Sequence, residues 1–196
     1  MNSAKSYFEI MNQFHIHNTA ISGLKVVERQ YLNDSRGFFS RLFCSNELSV
    51  AGWNRPIVQI NHSFTHKKGA IRGLHFQYPP FAEMKLVTCL KGAVWDLAVD
   101  LRSNSSTFLQ WHAEELSSVN CRSLLIPEGF AHGFQTLTDD CELIYQHSNE
   151  YSPTAEAGLN FGDPMLAIDW PLEIAEIAVR DKQHHMLDRY FSGLTL

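Results

Sequence analysis

Short runs of apolar and β-branched residues, broken at even intervals by Gly, Pro, Asn and Asp, set the pattern of this chain. Leu24 to Gln30 reads as a strand that ends at the turn signal Asn33-Asp34-Ser35. Ile57 to Ser63 alternates as a half-buried strand does. Lys85 to Leu90, then Lys91-Gly92, then Ala93 to Leu101 predicts a hairpin of aromatic and β-branched strands. Trp111–Leu116, Ser123–Ile126, Phe134–Leu137 and Cys141–His147 continue the series. Helical spacing is confined to Asn46–Ala51, with Ser45 as N-cap and Gly52 at its end, and to Ala178–Leu187. Many short strands with few helices predict an all-β barrel or sandwich.

The chain has 196 residues, 44% of them hydrophobic, enough for one well-buried domain. No linker-like stretch divides it, so one domain over 1–196 is expected, with 1–23 as a peripheral N-terminal arm or short strand. A formal net charge of −5 argues against nucleic-acid binding, which calls for a basic surface. No apolar run reaches the length of a membrane span, and the N-terminus lacks the regions of a signal peptide. Cys44, Cys89, Cys121 and Cys141 stand at wide spacings and read as small buried hydrophobes in a reducing, cytoplasmic setting.

Two stretches carry candidate chemistry. Gly69-x5-His75 and Pro127-x-Gly129-x2-His132 resemble parts of the two cupin motifs, which implies a double-stranded β-helix, the jelly-roll barrel. The second histidine of the first motif is here Gln77, its glutamate is Lys85, and Cys121 and Thr136 replace the outer residues of the second. A cupin metal site needs imidazoles and a carboxylate converging on one cation. An amide and an ammonium in those places predict a polar pocket with no metal and no cofactor.

Further motifs extend the likeness. Asp34-Ser35-Arg36-Gly37-Phe38-Phe39, Val58-Gln59-Ile60-Asn61-His62-Ser63, Ile71-Arg72-Gly73-Leu74-His75-Phe76-Gln77, Lys85-Leu86-Val87, the run Ile126 to Phe134 and Ile168-Asp169-Trp170-Pro171 occur in order. Together they resemble the dTDP-4-dehydrorhamnose 3,5-epimerase family from about Leu24 to Asp181. The resemblance implies a metal-free dimer acting on a nucleotide-linked 4-keto-6-deoxyhexose in deoxysugar and surface-polysaccharide synthesis. A C4 ketone acidifies the hydrogens at C3 and C5, so such an epimerase needs a base, an enolate stabiliser and a proton donor.

Residue by residue, His75 matches the family's base, and an imidazole's ordinary pKa near ~6.5 suits proton removal at neutral pH. Asp181 matches the carboxylate that orients it, Lys85 the cation beside the O4 oxyanion, and Tyr145 the proton donor. Arg36, Gln59, Asn61 and Arg72 match groups that hold diphosphate and sugar, and His132 is expected in the same pocket. Tyr151 matches a residue that stacks on the base. The remaining histidines, His15, His17, His62, His66, His112, His147, His184 and His185, are expected at the surface or as satisfied core groups.

Inversion at C3 alone and at both C3 and C5 are equally compatible with these residues. Metal-dependent oxygenase chemistry and non-catalytic sugar-nucleotide binding are the alternative functions. Where the family pattern R-G-F-F-x-E has its glutamate, this chain has Arg41, and Leu32 stands where an aromatic would stack. Arginine has donors only, which suits cytosine and leaves thymine's N3–H unpartnered, so the expectation leans to a CDP-linked substrate. The alternative is that Arg41 turns to solvent or a phosphate while Tyr31 replaces the lost aromatic. Family members also pair N-terminal strands across a dimer, and the lead segment here carries Tyr7, Phe8 and Phe14.

Overall fold

The computed structural model describes residues 13–196. In chain order the strands are β1 (Phe14–Asn18), β2 (Lys25–Arg29), β3 (Leu32–Asp34), β4 (Gly37–Phe39), β5 (Gln59–Thr65), β6 (Ala70–Gln77) and β7 (Lys85–Lys91). They continue with β8 (Ala93–Asp100), β9 (Trp111–Ser117), β10 (Arg122–Ile126), β11 (Phe130–Thr136), β12 (Cys141–His147), β13 (Glu156–Gly158) and β14 (Glu176–Ile177). Among the described residues, helix is limited to α1 (Ser45–Leu48), a 3₁₀ turn over Ser49–Ala51, and α2 (Val179–Lys182).

The strands form two facing sheets, β1-β2-β10-β7-β12-β5 and β13-β6-β11-β8-β9, with β14 parallel to β6 and β3-β4 a separate hairpin. This is the expected all-β jelly roll. Between the sheets lie Val26, Val87, Cys89, Leu124, Ile126 and Leu143 from the first and Val94, Ala98, Leu116, Phe130 and Phe134 from the second. Alternate residues point the other way. Leu86, Leu125 and Val27 pack outward against Leu48, Trp53 and Phe14. Leu97, Val99 and Phe76 pack outward against Leu159, Leu166 and Trp170. Covering both faces explains why runs such as Leu86-Val87-Thr88-Cys89 are buried throughout rather than alternating, with the Thr88 hydroxyl satisfied by Ser123.

Four expectations need correction. Lys85 to Leu101 is not a hairpin: β7 pairs with β10 and β12, whereas β8 pairs with β9 and β11. Gly92, at φ +77°, carries the chain from one sheet to the other, and a Cβ there would lie 2.6 Å from Thr138 Oγ1. Ser45 is the first helical residue of α1, preceded by Cys44, and caps nothing. The C-terminal helix stops after one turn because Asn160 Nδ2 donates to the carbonyl of His184 (2.9 Å) and Asp163 accepts the N–H of Leu187. Those side chains engage backbone groups that a longer helix would use itself. Phe14 belongs to edge strand β1 and is buried in this chain's own core, while Tyr7 and Phe8 lie outside the described residues.

Candidate active site

A cavity of about 660 Å³ opens between the sheets, lined by side chains of β5, β6, β7, β11 and β12 and by Tyr151, Glu156, Arg180 and Asp181. Strand register explains its composition. His147 pairs across β12 with Gln59 of β5 and Lys85 of β7, and Tyr145 pairs with Asn61. Two residues apart on one strand, Tyr145 and His147 share a face. On the facing sheet His75 of β6 lies opposite His132 of β11.

His75 and Asp181 form a dyad, Nε2 to Oδ1 at 2.8 Å. The other carboxylate oxygen accepts the N–H of Gly73 at 3.2 Å. That approach demands glycine, since φ is +123° and a Cβ would sit 2.5 Å from the Cα of Gly133. Burial alone would raise the Asp181 carboxyl. The hydrogen bond and charge of His75, the Gly73 N–H and Arg180 outweigh it and hold the carboxyl at about 2. With Nε2–H donated to a fixed carboxylate, Nδ1 of His75 keeps the lone pair of a base.

Lys85 is buried, with Nζ 3.0 Å from Glu83 Oε1 and 3.5 Å from the carbonyl of His75. Gln77, in the place of a cupin histidine, donates to Glu83 Oε2 and to the carbonyls of Phe81 and Glu150, and accepts the N–H of Ser152. It braces the wall. Tyr145 Oη lies 3.0 Å from Ser63 Oγ, and its pKa is raised by burial against the opposing effect of that hydrogen bond. His132 Nε2 meets the fully buried Asp96 at 2.9 Å. Burial pushes the Asp96 carboxyl up, with His132 and Lys85 pulling the other way.

Arg72 lines the cavity and donates to Thr65 Oγ1 at 2.9 Å. Gln59 donates to Asn61 and accepts the N–H of Tyr151, whose hydroxyl donates to Glu156. Thus His75, Asp181, Lys85, Tyr145, Gln59, Asn61, Arg72, His132 and Tyr151 come together. Arg36 and Arg41 do not. Arg36 sits at the tip of the β3-β4 hairpin, paired with Asp34. Arg41 is ion-paired with Glu47 of α1, which removes the free guanidinium that the cytosine expectation required. Tyr31 does not move in either; it stacks on Phe38 at 4.0 Å.

Several residues of the site escaped the motifs. His147 lines the cavity with Nε2 3.3 Å from Asn61 Nδ2. Burial first, then the charges of Lys85 and His132, push its imidazole down to about 3, so it stays neutral. The period-2 spacing from Tyr145 was the available signal. His184 is half-buried and lies edge-on to the His75 ring, 5.7 Å between centroids. Donor atoms of His75, Asp181 and His184 fall within 4.8 Å of one another, near enough to suggest metal ligation. Against that, the Arg180 guanidinium already lies 3.3 Å from His75 Nε2 and 3.5 Å from Asp181 Oδ1, a fixed cation where another would have to bind.

Residues 18–189 match the family model for dTDP-4-dehydrorhamnose 3,5-epimerase. The chain is 41% identical over 173 residues to the dTDP-4-dehydrorhamnose 3,5-epimerase of Salmonella typhimurium, covering 87% of this chain and 94% of that one. The Bacillus anthracis dTDP-4-dehydrorhamnose 3,5-epimerase structure, with TDP and PPi bound, aligns at TM-score 0.86 and 37% identity, covering 89% of this chain and 99% of that one. ChmJ of Streptomyces bikiniensis, a 3'-monoepimerase in complex with dTDP-quinovose, aligns at TM-score 0.80 and 30% identity, covering 87% and 86%. The chain belongs to the dTDP-4-dehydrorhamnose 3,5-epimerase family and is a sugar-nucleotide epimerase, an isomerase, not the oxygenase or non-catalytic module held as alternatives.

Proposed function

We propose that this protein inverts C3, and through Tyr145 also C5, of a dTDP-linked 4-keto-6-deoxyhexose. The observation that carries the reading is the dyad of His75, on β6 of one sheet, with Asp181 of α2, and Lys85 and Tyr145 on the sheet that faces β6. Nδ1 of His75 takes the proton from the carbon beside the ketone, and the electron pair moves onto O4. Lys85, held by Glu83 and by the His75 carbonyl, keeps one N–H for that oxygen, where a fixed charge in a dry site contributes most. At C5, Tyr145 returns a proton from the opposite face, which inverts that centre, while at C3 the returning proton comes from solvent. Gln59, Asn61, Arg72 and Tyr151 are assigned to the sugar and nucleotide, and His132, braced by Asp96, to the cavity wall.

The nucleotide is dTDP. The lean to CDP rested on Arg41, which is engaged by Glu47, and the relatives above are named for dTDP or hold TDP. Incubation with dTDP- and CDP-linked 4-keto-6-deoxyglucose in deuterated water tests the whole reading. The dTDP sugar is expected to gain deuterium at C3, and dTDP to protect the protein against thermal unfolding more than CDP does. No label in either sugar would refute an epimerase.

The same reading includes a homodimer. The β3-β4 hairpin exposes Leu32, Phe38 and Phe39 at 53%, 60% and 66%, together with Arg36. Apolar side chains clustered on one projecting hairpin fit a protein partner, and a second copy is the simplest one. A second copy covering the hairpin would also give Arg36 a route to a phosphate-binding role that its own cavity does not offer. Light scattering at micromolar concentration is expected to return the mass of a dimer, and a monomer mass would overturn this.

A further inference from the structure

Resting on the epimerase reading above, we infer that His147 sets sugar specificity, its Nδ1–H donating to the C2 hydroxyl of the nucleotide-linked hexose. No motif in the sequence includes His147, yet its side chain lines the cavity among the groups assigned to the reaction.

The tautomer of His147 follows from a donor whose role is fixed. The backbone N–H of Tyr151 can only donate, and it donates to Gln59 Oε1 at 3.0 Å. The other end of that amide is therefore Nε2, which donates to Asn61 Oδ1 at 3.0 Å. This leaves Asn61 Nδ2, again a donor, 3.3 Å from His147 Nε2. Nε2 must accept, so the ring proton sits on Nδ1. Nδ1 has no hydrogen-bond partner among the described residues, and protein does not close over it. Burial, with Lys85 and His132 adding to it, keeps the imidazole neutral and makes it a poor base. Its chemistry is that of an uncharged donor, suited to an uncharged oxygen.

Position selects that oxygen. β12 lies between β5 and β7, and His147 pairs with Gln59 on one side and Lys85 on the other. Its ring lies 6.2 Å from the Tyr145 ring, with 26° between the planes. Lys85 is assigned to O4, Tyr145 to C5 and Tyr151 to the nucleotide. The chain runs from Tyr145 through His147 to Tyr151, so His147 stands on the nucleotide side of the reacting carbons. C1 bears the diphosphate and must lie toward that side, and the hydroxyl next to it is the one on C2. In a 4-keto-6-deoxyhexose it is also the one free hydroxyl on a carbon that is not inverted. A neutral N–H there holds the ring without competing with Lys85 for the enolate.

The test uses the full chain in deuterated water and compares dTDP-4-keto-6-deoxyglucose with its 2-deoxy analogue, following label at C3. Wild type is expected to lose about tenfold in kcat/KM on the analogue, mostly through KM, because the contact is made equally before and during reaction. His147→Phe should lose a similar factor on the 2-hydroxy sugar and then treat both sugars alike. His147→Asn carries an amide nitrogen in the place of Nδ1 and should keep most of the discrimination. A merely structural role would slow His147→Phe on both sugars by the same factor, and that result would overturn the inference. So would a wild-type enzyme that does not distinguish the two sugars, or His147→Asn no more selective than His147→Phe. If the wild-type enzyme labels neither sugar, the epimerase reading itself fails, and the role of His147 with it.

Discussion

His75→Ala is expected to lower deuterium incorporation at C3 of the dTDP-linked ketosugar by roughly 100- to 10,000-fold, the span of effects from a lost general base. The variant should still bind dTDP, since His75 is assigned to the reacting carbon and the nucleotide to other residues. Asp181→Asn is the sharper companion test. Asparagine keeps an oxygen for the Gly73 N–H, so the local backbone retains its partner. What it loses is the anion that orients His75 and stabilises the imidazolium once the proton has been taken. Its C3 exchange should fall nearly as far as that of His75→Ala, and the double variant should be little worse than either, because residues acting as one unit are not additive. Exchange in His75→Ala at the wild-type rate, in folded protein, would remove His75 as the base.

Tyr145→Phe separates the two carbons. Burial keeps the Tyr145 phenol protonated, the state required of a donor, and Ser63 Oγ at 3.0 Å fixes its hydroxyl. Phenylalanine preserves the packing against the core and the neighbouring His147 ring. The variant should still wash deuterium into C3 through His75. Formation of the doubly inverted product should fall by about 100-fold or more. Proton NMR of the product resolves this, because inversion at C3 alone and at both centres gives different ring couplings. An undiminished yield of the doubly inverted sugar would move the donor role elsewhere on the wall.

Strand positions were legible because most strands bury at least one regular face, and Cys141–His147 matches β12 end to end. The switch between β7 and β8 was not legible. Both strands are apolar on two faces, so no periodicity distinguishes a hairpin from a crossing between sheets. Motifs sufficed for the dyad, Lys85 and Tyr145, since each stands in a run of neighbours that identifies it. His147 and His184 have no such run. One enters the cavity through the register of β12 against β5 and β7, the other through a chain bend set by Asn160 and Gly158. Arg41 failed for a related reason. An unpaired charge in a sequence carries no mark of its eventual partner, and here Glu47 claims it.

The place of β7 has a consequence for how the chain reaches this state. It sits inside the first sheet between β10 and β12, both of which follow it in sequence, and Lys25 of β2 waits for Leu125 of β10. No early hairpin with β8 is available as a local nucleus. A nascent chain ending near Gly92 therefore has its future central strand made, apolar on both faces and unpaired along both edges. Such edges invite pairing with other chains, and topologies dominated by distant contacts close slowly. Folding of the catalytic wall has to wait for synthesis of β12, which brings Tyr145 and His147 to Lys85 in the same step that covers that edge.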